Sequence, residues 1–252
     1  QTTNITAYGS DGVSLGTDSN VNGNSSTYVG WFWKETADAG FDIVSYTGSG
    51  SAKTVSHSLS AVPKMIIVKA RSSSGQWTVQ HGSLGATKWT ELDSTAATDF
   101  STTIWNNTEP TSSVFTVGTN ARTNANGTTY IAYVFADKQG YSKMGSYTGS
   151  GSDSFIYTGF KVGWLLVKVS DGTNGWLVID TKRSPANPQG KFVYANATSA
   201  EGTVTYGEFF SNGFGWKGTN SIAVNQSGKN YIYMAFAENP FVTSTGVPAT
   251  AR

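Results

Sequence analysis

Apolar and polar positions along this chain fall into short runs of strand length, separated by Gly, Asn, Asp and Ser. "MIIVKA" (Met65–Ala70) and "WLLVKV" (Trp164–Val169) are near-continuous apolar runs, the pattern of buried strands. "QWTVQ" (Gln76–Gln80) and "GWLVID" (Gly175–Asp180) alternate. "VFTVGT" (Val114–Thr119) comes later, followed by a Gly turn (Asn126–Gly127, and Ser227–Gly228 further on) and a final apolar strand. An Asn-Gly pair between two strand patterns predicts a hairpin. The expected fold is all-β, built as tandem antiparallel β-sandwich modules whose two sheets bury their inner faces.

The heptapeptide "SYTGSGS" occurs at Ser45–Ser51 and again at Ser146–Ser152. Aligning the two copies brings other segments into line. "KMIIVKA" (Lys64–Ala70) falls on "GWLLVKV" (Gly163–Val169), and "GQWTVQH" (Gly75–His81) on "NGWLVID" (Asn174–Asp180). "NGTTYIAYVFA" (Asn126–Ala136) falls on "SGKNYIYMAFA" (Ser227–Ala237). Order and spacing are kept, which predicts a tandem duplication. The N-terminal stretch follows the same pattern, with Val13, Leu15 and Gly16 on Phe115, Val117 and Gly118, and Tyr28 on Tyr130. The expected organisation is therefore residues 1–36 as the last hairpin of an incomplete repeat, 41–138 as repeat A, 141–240 as repeat B, and 241–252 as a tail. A lone hairpin is marginal in water, so the first segment should pair with an adjacent module or a neighbouring subunit.

The final strand of each copy is apolar on both faces. In "YVGWFWK", Val29, Trp31 and Trp33 oppose Tyr28, Gly30 and Phe32; in "YIAYVFA", Ile131, Tyr133 and Phe135 oppose Tyr130, Ala132 and Val134. One face fills a core and the other needs an apolar neighbour. Trp31, Trp33, Tyr133 and Tyr233 are the candidate interface residues. The partner they imply is the next module or another copy, giving a homo-oligomer.

The chain has 252 residues, a formal net charge of +1, 13% charged and 13% aromatic residues. Many aromatics with little net charge argue against disorder, and the scarcity of good helix formers agrees with strands. The small charge argues against a nucleic-acid partner. No run reaches the roughly 20 apolar residues of a membrane helix, and no secretory signal pattern opens the chain. There is no cysteine, hence no disulfide or thiolate metal site.

The remaining chemistry is sparse. His57 and His81 are the two histidines, and His81 aligns with Asp180, so a structural role is expected for both. Asp42, Glu91, Asp93, Asp99, Glu109, Asp180, Glu201 and Glu208 are scattered, with no spacing that pairs them as a glycosidase requires. "TDSNVNGNS" (Thr17–Ser25) and "SDGTNG" (Ser170–Gly175) hold oxygen-bearing side chains, but turn chemistry explains them better than calcium. Six Asn-x-Ser/Thr matches, among them Asn225, are expected by chance in so Ser/Thr-rich a chain. No catalytic residue, metal or cofactor is assigned. Trp77 and Trp176 align, which predicts a shared core role. Trp89, Trp105 and Trp216 have no Trp in the other copy and are the candidate surface aromatics for a ligand such as a sugar face.

"YVGWFWK", "FDIVSYTGSG", "VSHSLSAVPKMIIVKAR", "TSSVFTVGT", "NGTTYIAYVFA" and "YIYMAFAENPFVTSTGVPATAR" resemble repeat modules of bacteriophage virion proteins, a domain of unknown function in tail-fibre-like or other structural proteins of marine and cyanobacterial phages. The resemblance runs from about Tyr28 to the end, although the second copy lacks the "VSH.L...P" stretch. It implies a virion-surface location and a tail fibre, or a head fibre or decoration. The partners it implies are other virion proteins, further copies of the chain (by analogy to fibres, a trimer) and a host-surface glycan. The alternative is a carbohydrate-binding module of a surface adhesin or enzyme.

Overall fold

The computed structural model describes residues 4–10 and 12–240, so the 241–252 tail lies outside the described residues. Two compact units divide the chain, residues 1–34 and residues 35–252.

The first unit pairs β1 (Ile5–Tyr8) with β2 (Val13–Leu15) antiparallel and continues into a short helix, α1 (Ser19–Asn22). Asp18 caps α1, its carboxylate accepting from the Asn20 N–H at 2.8 Å. The expected terminal hairpin differs here. β2 pairs with the strand before it, and residues 28–34 join no ladder.

The larger unit is all-β and antiparallel. Its first half carries β3 (Phe41–Thr47), β4 (Lys53–Ser56), β5 (Met65–Ala70), β6 (Thr78–His81), β7 (Lys88–Glu91), β8 (Asp99–Phe100), β9 (Val114–Val117), helix α2 (Ala121–Asn124) and β10 (Thr129–Phe135). Its second half carries β11 (Ser142–Thr148), β12 (Ile156–Tyr157), β13 (Val162–Val169), β14 (Leu177–Asp180), β15 (Gln189–Tyr194), β16 (Gly202–Phe210), β17 (Gly213–Trp216) and β18 (Asn230–Ala237). The first half orders as β3-β10-β5-β6-β7-β8 with a separate β4-β9 pair. The second orders as β11-β18-β13-β14-β15-β16-β17-β12 in one sheet. Both halves thus place the last strand between the first and the long apolar strand. They differ in that β16 is long enough to carry the second sheet over into the layer that β4 and β9 form alone.

The predicted Asn-Gly hairpin is not one. β9 and β10 lie in different sheets, joined by α2 and the turn at Gly127. Gly127 takes the positive φ of a tight turn (74°), but the chain between the strands crosses from one layer to the other.

Period-2 alternation decides what each strand buries. Tyr130, Ala132 and Val134 of β10 are fully buried in the first core with Ile66, Val68, Phe115 and Trp105. Tyr231, Tyr233 and Ala235 of β18 are buried in the second core with Leu165, Val167, Ile179 and Phe214. The opposite faces are also covered. Phe135 and Phe236 meet edge-to-face at 6.4 Å, and Met65, Ile232 and Met234 beside them are buried. The second apolar face of each last strand is therefore spent on the neighbouring half.

Candidate functional site

The sequence-predicted surface aromatics are all core residues. Trp105 is 0% exposed, Trp216 1% and Trp89 9%. The Arg122 guanidinium covers the Trp89 ring at 4.3 Å while pairing with Glu91. Trp216 donates its indole N–H to the Tyr147 hydroxyl at 2.9 Å. Absence of a matching Trp in the other half is not a sign of exposure. Where β18 places Tyr233 the first half has only Ala132, and Trp89 and Trp105 are buried in that core.

Tyr233 is also corrected as an interface residue. It lies inside the second core, with Phe214 at 5.1 Å. Its counterpart is Ala132, one register position away from Tyr133, and a slip of one residue turns a side chain to the other face. Tyr133 itself sits half-buried on the outer face of β10, stacked on Trp77 at 6.0 Å. Trp176 is buried, but its indole N–H reaches the Glu91 carbonyl in the other half at 2.7 Å. Trp176 thus reaches across the junction, while Trp77 packs on Tyr133 of its own half, and neither belongs to the two core clusters. Trp31 and Trp33 are half-buried in the first unit.

Among the described residues of the large unit, the exposed aromatics are Phe100, Phe155 and Tyr157. Phe155 and Tyr157 flank the buried Ile156 on edge strand β12. Phe210 meets Phe155 at 5.5 Å, and Lys143 Nζ lies 5.3 Å from the Tyr157 ring centre. Alternation in "SFIYT" was the signal that marks them.

The junction between the halves holds two titratable groups that burial perturbs, His81 and Lys168. His81, buried at the end of β6, accepts at Nδ1 from the Ser83 N–H (3.2 Å), so Nε2 carries the proton and donates to the Tyr233 carbonyl (3.1 Å). Burial lowers its pKa to about 4, against the opposing pull of that carbonyl. Asp180, aligned with His81, turns instead to Arg183 at 2.6 Å. Lys168 is fully buried and donates to the carbonyls of Val169 (2.8 Å), Thr95 and Gly172 (3.4 Å each). Burial lowers its pKa to about 8. A cleft of about 410 Å³ opens beside these groups, bounded by Lys88, Thr98, Ser146, Asp171 and Asn230. Thr98, Asp171 and Asn230 already hydrogen-bond within its wall. Among the described residues, no three His, Asp or Glu side chains gather as a metal-binding group. His57 lies against the Thr111 carbonyl at 3.2 Å.

The duplicated heptapeptide has a specific seat. In the first half Tyr46 stacks on Tyr130 at 5.2 Å and donates to the Thr123 carbonyl. Gly48 exchanges main-chain bonds with Thr128 and Gly127, and the Ser49 N–H donates to Asn124 Oδ1 at 2.8 Å. Asn124 Nδ2 in turn donates to the carbonyls of Ser51 and Gly118. The second half repeats each bond. Tyr147 stacks on Tyr231 at 4.9 Å and donates to Val224, Gly149 bonds Lys229 and Gly228, and Asn225 clasps Ser150, Ser152 and Thr219. Asn225 is 0% exposed, so its Asn-x-Ser pattern is not a sugar-attachment site. A Cβ on Gly48 or Gly149 would lie 2.2 Å from the carbonyl oxygen of Ala125 or Gln226. The "SGS" loop tips are clamped to the seat at both ends rather than standing free.

No curated protein and no solved structure matches the chain. A family described as a domain of unknown function, DUF7483, matches residues 1–240, which span the first unit and both halves of the larger one. The chain belongs to this DUF7483 family.

Proposed function

We propose that this protein is a structural component of a bacteriophage virion, a tail fibre or a head fibre or decoration, that presents β-sandwich modules for assembly and attachment to a host surface. The observation that carries the reading is the junction of the two halves. Phe135 meets Phe236 there, while His81 and Trp176 reach across to main-chain carbonyls. Two similar modules locked face to face make a rigid spacer, the property a fibre or decoration needs. The phage setting comes from the sequence resemblance. Self-association supplies multivalent contact, in which many weak attachments add.

Antibody against the chain, imaged on intact purified particles, tests this. The expected result is labelling at one fixed position on the particle. Recovery of the protein only from lysed cells, with unlabelled particles, overturns it.

A carbohydrate-binding role is the second reading, now favoured by a different pair of residues, the exposed Phe155 and Tyr157. Selective binding on a glycan array, lost with Tyr157→Ala, is its signature.

A further inference from the structure

The first unit contains a third copy of the heptapeptide seat, and among the described residues none fills it. Tyr28 donates to the Ser19 carbonyl at 2.6 Å and accepts from the Gly23 N–H at 2.8 Å. Tyr130 does the same with Ala121 and Ala125, at 2.7 and 2.8 Å. Asn22 Nδ2 donates to the Gly16 carbonyl at 2.8 Å, as Asn124 Nδ2 does to Gly118. The Ser26 N–H donates to Gly23, as Thr128 does to Ala125 and Lys229 to Gln226. Ser25 adopts φ 61°, where the two filled seats have Gly127 at 74° and Gly228 at 75°. A non-glycine residue held in that left-handed region marks a backbone shape that is kept despite its cost.

What is missing is the occupant. Asn124 and Asn225 are 0% exposed because a Ser-Gly-Ser loop lies on them, whereas Asn22 is exposed. Tyr130 and Tyr231 are 0% exposed beneath Tyr46 and Tyr147, whereas Tyr28 is 49% exposed. Leu15 is 46% exposed where its counterpart Val117 is 0%.

We propose that the surface formed by Asn22, Ser25, Ser26 and Tyr28 is a docking seat for a partner strand ending in a Tyr-Thr-Gly-Ser-Gly loop. The two such segments of this chain are already seated, so the occupant is a third segment of the same chemistry. Asn22 supplies Oδ1 to a serine N–H of the incoming loop, and Nδ2 to a carbonyl two residues on. The N–H of Ser25 and the carbonyl of Ser26 bond the incoming glycine, which must lack a Cβ to approach the Gly23 carbonyl. The incoming tyrosine stacks on Tyr28. The seat is independent of where the protein works.

The test uses the isotope-labelled full chain and an end-blocked peptide of the sequence Phe41–Ser51, followed by NMR. The expected result is saturable shifting of the Asn22 side-chain amide and of the Ser25 and Ser26 N–H signals. Binding should weaken by about tenfold or more with Asn22→Ala. The same loss is expected, with the protein untouched, when the glycine of Tyr-Thr-Gly in the peptide is replaced by alanine. No shift at millimolar peptide, or shifts indifferent to both substitutions, overturns the proposal. A dimer that forms without peptide and dissociates with Asn22→Ala gives the seat to a second copy and overturns the assignment to a separate partner strand.

Discussion

His81 Nε2 donates to the main-chain carbonyl of Tyr233 across 152 positions of sequence, at 3.1 Å. This bond joins β6 of one half to β18 of the other, and burial keeps the ring that makes it neutral. Protonating Nδ1 would set a second N–H against the Ser83 N–H that it now accepts. The ring's pKa is about 4 in the folded protein, against about 6.5 unfolded. Between these values the unfolded chain binds the extra proton. Stability from this group is therefore complete above pH 6.5 and is lost as pH falls towards 4, by about 3 kcal/mol in all. Urea unfolding across pH 4–7 should show that slope. His81→Gln, which keeps a side-chain N–H donor, should flatten it, and an equal slope in the variant would remove His81 as the cause.

Lys168 gives the opposite end of the pH scale. Its folded pKa is about 8 and the unfolded value about 10.5. The folded protein sheds this proton first, so stability should rise as pH increases from 8 towards 10. The window closes near pH 10, where tyrosines such as Tyr46 and Tyr147, whose phenols burial holds above their ordinary value, begin to oppose it. The aligned Lys69 is not buried and reaches the Gly75 carbonyl instead. Lys69→Met should leave the alkaline rise intact and Lys168→Met should abolish it, with the unfolding midpoint as the measurement.

The glycine of each "SYTG" is fixed by contact with main chain. Gly48→Ala or Gly149→Ala puts a methyl 2.2 Å from a carbonyl oxygen that no side-chain rotation can move. A cost of about 2–3 kcal/mol per site follows from overpacking of this kind. Unfolding in urea, with the slope unchanged and the midpoint lowered, is the expected result. A stable Gly149→Ala protein would mean that the heptapeptide is retained for another reason.

The three aligned asparagines should separate by what they hold. Asn225→Ala, at a fully buried position, removes the partner of the Ser150 N–H and of the Ser152 and Thr219 carbonyls. Buried groups left without partners cost about 2–4 kcal/mol together. Asn22→Ala removes one bond at an exposed position, and the expected change is within about 0.5 kcal/mol. Equal losses at both sites would show that the first seat is already filled.

The fold class was legible because strand length, alternation and turn residues are local properties. The heptapeptide stood out because Tyr46, Gly48, Ser49 and Gly50 are tied down by the same few bonds as Tyr147, Gly149, Ser150 and Gly151. The fate of the second apolar faces could also be argued, since a two-sided strand needs cover wherever it lies. Three expectations differ from the structure. Turn chemistry at Asn126–Gly127 does not reveal whether the flanking strands pair, because α2 redirects the chain. Tyr133 and Tyr233 look equivalent by number, although the alignment itself sets Tyr233 on Ala132, across the strand from Tyr133. Trp89, Trp105 and Trp216 look like surface residues only if the two cores are filled alike, and they are not.

That last difference can be measured directly. Trp216 lies 1% exposed against Phe214 and Tyr206, at 5.8 and 6.2 Å between ring centres, and its N–H is bonded to Tyr147. Trp216→Ala should cost about 3–5 kcal/mol, the sum of lost burial and a cavity that its rigid neighbours cannot close. Tyr157, more than half exposed on edge strand β12, should tolerate the same truncation within about 0.5 kcal/mol. A quencher such as iodide should likewise reach Tyr157 and spare Trp216. If Trp216→Ala kept full stability while losing binding to a glycan, the indole would be a ligand contact after all. A core position requires the reverse order, a large loss of stability whatever the ligand.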